Sequence, residues 1–186
     1  MRVLGIDPGS ETTGWGVVEG DARRYAAVDF GTVRANPRER FAARLLKIAV
    51  GVESLIEKFR PDVCAVEEAF FSVNAKTALK LGHVRGVVLL AAERAGVELA
   101  EYAPRLVKQT VVGYGAAEKQ QVQEMMRVLL KLKTAPTPFD ASDALAVAVT
   151  HLHHTARPQQ TKSKIAPARA RLEALLAANP RRRTPR

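Results

Sequence analysis

Apolar residues in the first third of the chain follow two different rhythms. Short runs come first, over residues 3–7 (VLGID), 15–19 (WGVVE) and 28–33 (VDFGTV), separated by the turn-rich PGSET and the charged GDAR. They predict three strands in an antiparallel meander. The spacing then changes. Phe41, Leu45, Ile48, Val52, Leu55 and Phe59 recur every three or four residues, as one face of a long amphipathic helix that Pro61-Asp62 closes. A compact apolar run over 63–66 reads as a buried parallel strand. Helices are expected over about 75–95, 116–131 and 140–154, with a fifth strand at 97–102. The order βββαβαβαα predicts an α/β fold: a mixed sheet with helices on its faces, with no internal repeat. Sites in such sheets gather beyond the carboxyl ends of the strands.

Two strands end there in an acid. Asp7 follows Val3-Leu4-Gly5-Ile6, and Glu67 follows Val63-Cys64-Ala65-Val66. A carboxylate at the end of a buried strand is costly unless something pairs with it. The last helix opens with another pair, Asp140 and Asp143, in FDASDALAVAVTH. Residues three apart on a helix share a face. If the first turn of this helix packs beside strands one and four, four carboxylates converge, and like charges persist together only with protonation or with cations. Oxygen donors suit Mg²⁺ or Mn²⁺, and two such ions suit in-line displacement at a phosphodiester. Each acid also has an ordinary structural use. Asp7 opens DPGS, a type II turn signature; of Glu67 and Glu68, one is expected to be a solvated surface acid. Asp140 fits an N-cap and Asp143 an acid of the first turn. His151, His153 and His154 in the last turn of the same helix read as favourable charge at a helix C-terminus, or as metal ligands.

Composition narrows the class. The chain of 186 residues fits one domain, with 47% apolar and 26% charged residues, as in an ordinary globular protein. Aromatics make up 5%, so the core must be aliphatic, and Trp15 and Phe71 are assigned to it. A single cysteine, Cys64, excludes an intramolecular disulfide and fits a buried thiol in a reducing compartment. No stretch is long and apolar enough to span a membrane and no signal peptide is evident, so the expected location is cytoplasmic. The net charge is +10, and residues 157–186, with nine Lys/Arg and one acid, carry +8 of it. The expected division is a folded domain at 1–155 and a basic, flexible tail at 156–186. Such a tail suits a polyanionic partner or simply solubilises the chain.

Four blocks now stand in order: GIDPGSETTGWGVV, AVEEAFFSVNAKTALKLGHVRGV, VKQTVVGYGAAEKQQVQEMMRVLLKL and DASDALAVAVTH. Together they resemble the RuvC family of Holliday-junction resolvases, over about residues 2–154. The resemblance implies an RNase H-like fold with a central five-stranded sheet. It also implies a homodimer that binds four-way junction DNA and nicks two strands symmetrically, leaving 5′-phosphate and 3′-hydroxyl ends. It places the metal-binding acids at Asp7, Glu67, Asp140 and Asp143, holding two Mg²⁺ ions, with Mn²⁺ as a substitute, and Asp7 bridging them. Asp140 is the least constant of these positions, since some relatives carry histidine there. Lys108 and Lys119 fall at the positions of basic residues near the scissile phosphate, Lys119 among the catalytic set. Phe70 is expected to stack on bases at the opened junction, and Lys80 and Arg85 to join the DNA-binding residues. The helix over 75–95 resembles the dimer element, where Gly82 and Gly86 let two backbones approach; their alternative use is close packing on the chain's own sheet. The RuvA–RuvB branch-migration complex is the implied partner. The tail has no counterpart in the shorter members.

Three competing functions remain at this point. An RNase H-like nuclease acting on RNA would share Asp7 without needing Phe70 or the dimer helix. A non-catalytic junction-binding module has no use for four intact acids. An actin-like ATPase also begins a phosphate loop after such an aspartate, but needs a second loop and far more chain.

Overall fold

The computed structural model describes residues 1–68 and 74–155. Its elements are β1 (Arg2–Asp7), β2 (Thr12–Gly20), β3 (Tyr25–Arg34), α1 (Phe41–Phe59), β4 (Val63–Glu67), α2 (Ala75–Arg94), β5 (Glu98–Tyr102), α3 (Pro104–Val112), α4 (Lys119–Leu129) and α5 (Phe139–Thr155). The five strands form one sheet in the order β3-β2-β1-β4-β5. β1, β2 and β3 are the expected antiparallel meander, and β4 and β5 extend it in parallel from β1.

Side chains alternate across a strand, and each face of this sheet has its own core. Leu4, Ile6, Val17, Cys64 and Val66 point towards α1 and α2, where Ile48, Val52, Val84 and Val88 cover them. Val3, Val18 and Ala65 point the other way, towards Val107, Val122, Met126 and Leu145 of α3, α4 and α5. The expected buried thiol is Cys64, which burial pushes up to about 12. Trp15 is half-buried and packs against Phe59 with ring centroids 5.6 Å apart. Among the described residues no helix is long and apolar enough to cross a membrane.

The structure departs from the sequence reading in three places. The helix expected at 116–131 is the shorter α4, which starts where Glu118 and Gln121 form a reciprocal capping box. Ahead of it lies α3, a nine-residue helix with Pro at its first position and Gly113 at its end in a left-handed conformation (φ +99°). Its buried residues are only Val107 and Val111, too few to show a period. Finally, Asp140 is not the N-cap of α5. The helix begins one residue earlier, with the carbonyl of Pro138 already accepting from the amide of Ala141 at 3.1 Å.

α2 resolves the question of its glycines. It docks through Val84, Val88, Ala91 and Ala92. Among the described residues a Cβ built on Gly82 or Gly86 would meet nothing within 4 Å, so neither glycine packs on the chain's own sheet.

Candidate active site

Period-two alternation decides where the strand-end acids point. β1 and β4 run parallel with Gly5 opposite Ala65 and Ile6 opposite Val66. Ala65 faces α5, so the next residues of that parity, Asp7 and Glu67, end their strands side by side on the α5 face. Glu67 is in turn paired with Tyr102 of β5. Glu68 is exposed, its amide bonded to the Tyr102 carbonyl at 2.9 Å, as expected of the surface member of the pair.

The other two acids reach this row because α5 lies almost against the backbone of the sheet. A Cβ on Gly14 would stand 1.9 Å from the carbonyl oxygen of Asp140, and one on Gly5 would stand 2.0 Å from that of Ala144. Only residues without a side chain permit this approach. Small residues on α5 complete the fit: Ala141, Ser142, Ala144, Ala146 and Ala148 are all buried. The first turn of the helix thereby carries Asp140 and Asp143 over the ends of β1 and β2.

A cleft of about 310 Å³ opens here, with Asp7, Glu67, Asp143, Lys108 and Lys119 in its wall. The Lys119 ammonium lies 3.6 Å from the Asp143 carboxylate. Asp7 and Glu67 lie close enough for each charge to act on the other. Burial, reinforced by the charges of Asp143 and Asp140, raises the Asp7 carboxyl to about 7. Burial and then the charge of Asp7 raise Glu67 to about 8. The two carboxyls titrate as a pair, both held above the ordinary carboxyl range by burial and by the charge of neighbouring acids. Asp143 is also raised, chiefly by burial, against the opposing pull of Lys119. Two positive side chains thus do not offset the acids of this site.

The remaining predicted residues are placed less centrally. Lys80 is half-buried on α2, one residue before the cleft-lining Leu81. Arg85, one turn on, pairs with Glu101 of β5, on the α2 side of the sheet. Phe70 and Phe71 lie outside the described residues. The histidine reading needs correction. His151 is buried, bonded through Nδ1 to the Tyr102 hydroxyl at 2.8 Å, and pushed down by burial to about 4. It is neutral and supplies no charge to the helix end. His153 instead meets the Tyr25 hydroxyl at 3.2 Å through Nε2.

One positioning residue escaped sequence reasoning. Arg44, on the buried side of α1, donates from Nε to the Ser10 carbonyl at 3.0 Å, and from Nη2 to the same oxygen. Its ring neighbour is Phe41, and Glu11 lies 3.8 Å away. It fastens the turn that follows Asp7. Its signal was a lone cation inside the apolar face Phe41–Phe59, a costly placement without a dedicated acceptor.

The family model described as crossover junction endodeoxyribonuclease RuvC matches residues 3–151. The chain belongs to this RuvC family. A RuvC of Caldanaerobacter subterraneus is 48% identical over 82% of this chain and 93% of its own length. One from Heliobacterium modesticaldum is 51% identical over 82% and 94%. Among solved structures, Thermus thermophilus RuvC in complex with a Holliday junction substrate superposes with a TM-score of 0.78 at 40% identity, covering 83% of this chain and 94% of the other. The yeast mitochondrial Holliday junction resolvase, at 16% identity and a TM-score of 0.58, shares the fold. The five-stranded mixed sheet with helices on both faces is therefore the RNase H-like fold of RuvC nucleases.

Membership of this nuclease family implies a divalent metal. Among the described residues no three acidic, histidine or cysteine side chains stand as a ready-made metal cage. The donor chemistry nevertheless fits a hard cation: the site offers carboxylate oxygens, and the raised Asp7 and Glu67 mark negative charge for which the protein has too little counter-charge.

Proposed function

We propose that this chain is a Holliday-junction resolvase. It makes paired, symmetric, metal-dependent nicks in four-way DNA, leaving 5′-phosphate and 3′-hydroxyl ends, in recombination and repair. The observation that carries the reading is the row of half-buried acids, Asp7 and Glu67 with Asp143 above them, opening into a cleft that also holds Lys108 and Lys119. Asp7, Glu67, Asp140 and Asp143 would hold two Mg²⁺ ions, with Mn²⁺ as a substitute. Bound metal supplies activation of the attacking water and stabilisation of the leaving 3′-oxygen. The protein's own part is to hold these carboxyls together, in surroundings that favour their ionised form only when a cation offsets their charge. Lys119, with Lys108 beside it, neutralises the charge of the scissile phosphate.

Leu79, Gly82, Gly86 and Leu90 form an exposed stripe along α2, with Leu79 66% and Leu90 57% exposed. This is the face for a second copy, and two-fold symmetry matches two cuts. Phe70, Lys80 and Arg85 complete the DNA contacts; Arg85 must leave Glu101 to do so. Residues 1–155 are the nuclease domain, 156–186 a basic arm, and RuvA–RuvB the partner, in the cytoplasm.

The test is cleavage of a labelled four-way junction against linear duplex and structured RNA, with Mg²⁺, Mn²⁺ or EDTA. Paired, metal-dependent junction nicks are expected. Preferential cutting of RNA overturns the substrate, and binding without cutting under any metal leaves a binding module. The dimer face has its own test. Gly86→Ala replaces an exposed helical glycine, so it should stabilise the isolated fold by about 0.5–1 kcal/mol. It should also weaken self-association in sedimentation, because the added methyl groups separate the two helices. Unchanged association would remove α2 from the interface.

The acids also predict how metal and pH interact. Their folded values lie above the ordinary carboxyl range, so their contribution to stability is present in acid and is lost as pH rises through about 7–8. Metal that binds the ionised acids relieves that loss. Adding Mg²⁺ should raise the melting temperature by ~2–6 °C at about pH 8 and hardly at all at about pH 5.5. An equal rise at both values would place the ion elsewhere.

A further inference from the structure

We propose that Tyr102 and His151 are positioning residues of this active site: their buried hydrogen bond fastens the β5–α3 corner to α5 and so sets Lys108 against Asp143. The inference rests on the nuclease reading above for its catalytic consequence, but not for its geometry.

Tyr102 stands beside Glu67 in the sheet and ends β5. α3 starts two residues later at Pro104, and its next turn carries Lys108; both Pro104 and Lys108 line the cleft. α5 supplies Asp143 to the same cleft, and the charge of Lys108 acts on Asp143. Within the apolar core behind the cleft, these two walls are also joined by polar contacts. The Tyr102 hydroxyl meets His151 Nδ1 at 2.8 Å. The Tyr102 ring also lies 5.9 Å from the rings of His151 and His154. Thr110, further along α3, approaches His154 Nε2 at 3.4 Å.

Packing alone does not call for this arrangement. Around it α3 contributes Val107 and Val111, and α5 contributes Val147, Ala148 and Leu152 to the same apolar core. An aliphatic pair would fill the space without burying polar atoms. Instead His151 is 4% exposed, and its buried Nε2 has no hydrogen-bond partner among the described residues. A half-satisfied imidazole weakens the fold. What it adds is direction. Apolar surfaces slide past each other at little cost, whereas a buried hydrogen bond has a preferred length and angle. Catalysis is sensitive to this, because a misplacement of about 1 Å can cost up to about 100-fold in rate.

The test uses Tyr102→Phe, which removes the hydroxyl and keeps the ring, alone and with Lys108→Ala. Two readouts are taken on the full chain: single-turnover junction cleavage with Mg²⁺ at saturating protein, and the salt dependence of junction binding in EDTA. A phosphate contact contributes about 0.9 to the slope of log affinity against log salt. Tyr102→Phe is expected to slow cleavage about 10-fold. It is also expected to move the slope towards that of Lys108→Ala. Adding it to Lys108→Ala should change neither quantity further. His151→Phe should behave as Tyr102→Phe does. A cleavage rate and slope equal to the wild type overturn the proposal. So does the same fractional loss with and without Lys108, which would mean that the bond supports the fold as a whole. If the wild type binds junctions and cuts nothing, the catalytic reading falls, while the slopes still decide whether Tyr102 places Lys108.

Discussion

Asp7→Asn should abolish junction cutting, keep junction binding and make the metal-free protein more stable. The first effect follows from removing the carboxylate that faces Glu67, Asp140 and Asp143 together. Losing several kcal/mol of metal-supplied charge stabilisation corresponds to on the order of 1,000-fold in rate. The second follows because the amide keeps the shape of the cleft and leaves Lys108 and Lys119 in its wall. The third follows from the site's own electrostatics. Asp7 is held at about 7 by burial and by its acidic neighbours, so at about pH 8 the folded chain carries a charge the unfolded chain would carry more easily. Asparagine removes that penalty and keeps the size of the side chain. The gain should be on the order of 1–3 kcal/mol, read as a higher melting temperature without metal. The gain should shrink towards about pH 4, where Asp7 is protonated in the folded state. A dead variant that is less stable than the wild type would contradict this account, since loss of cutting would then trace to misfolding.

The parts of this site differ in how far the sequence reveals them. Asp7 and Glu67 are legible because each terminates an apolar run, and a charge in that place has few uses. The face they share is legible too, since alternation along a strand is strict. Asp140 and Asp143 are visible as a pair, but what brings them to Asp7 is not. That depends on Gly5 and Gly14 as a floor for α5, and a glycine in a strand reads equally well as a bulge or a weak point. α3 was missed because nine residues with two buried valines show no period. His151 was misread because its place near a helix end is local, whereas its burial and its bond to Tyr102, 49 residues away, are tertiary. That Gly82 and Gly86 face outward is decided by how α2 docks on the sheet, through Val84, Val88, Ala91 and Ala92. In each case the sequence carries what is decided within one element, and the structure adds what depends on which elements meet.

The glycine floor carries the largest expected loss of stability. Gly14→Ala would place a methyl carbon 1.9 Å from the Asp140 carbonyl oxygen and 2.4 Å from its carbonyl carbon. Neither atom belongs to a side chain that can rotate away. Gly14 is held on both sides, by Asp7 of β1 in one direction and by Thr32 of β3 in the other, so the strand cannot retreat without breaking ladder bonds. α5 must therefore lift. Overpacking of ordinary cores costs about 1–3 kcal/mol; backbone against backbone belongs at or beyond the upper end. For a chain of this size about 3 kcal/mol lowers the melting temperature by ~6–12 °C. Lifting the first turn of α5 also withdraws Asp140 and Asp143 from Asp7, so cutting should fall further than the fraction folded accounts for. Two measurements separate these effects. Thermal unfolding reports the stability, and cleavage assayed well below the melting temperature reports the site. The Mg²⁺-induced rise in melting temperature should shrink as well, because the acids no longer converge. Full activity at low temperature in Gly14→Ala would show that α5 can move without disturbing the acids. It would then remove the close helix–sheet contact from the explanation of how this site is built.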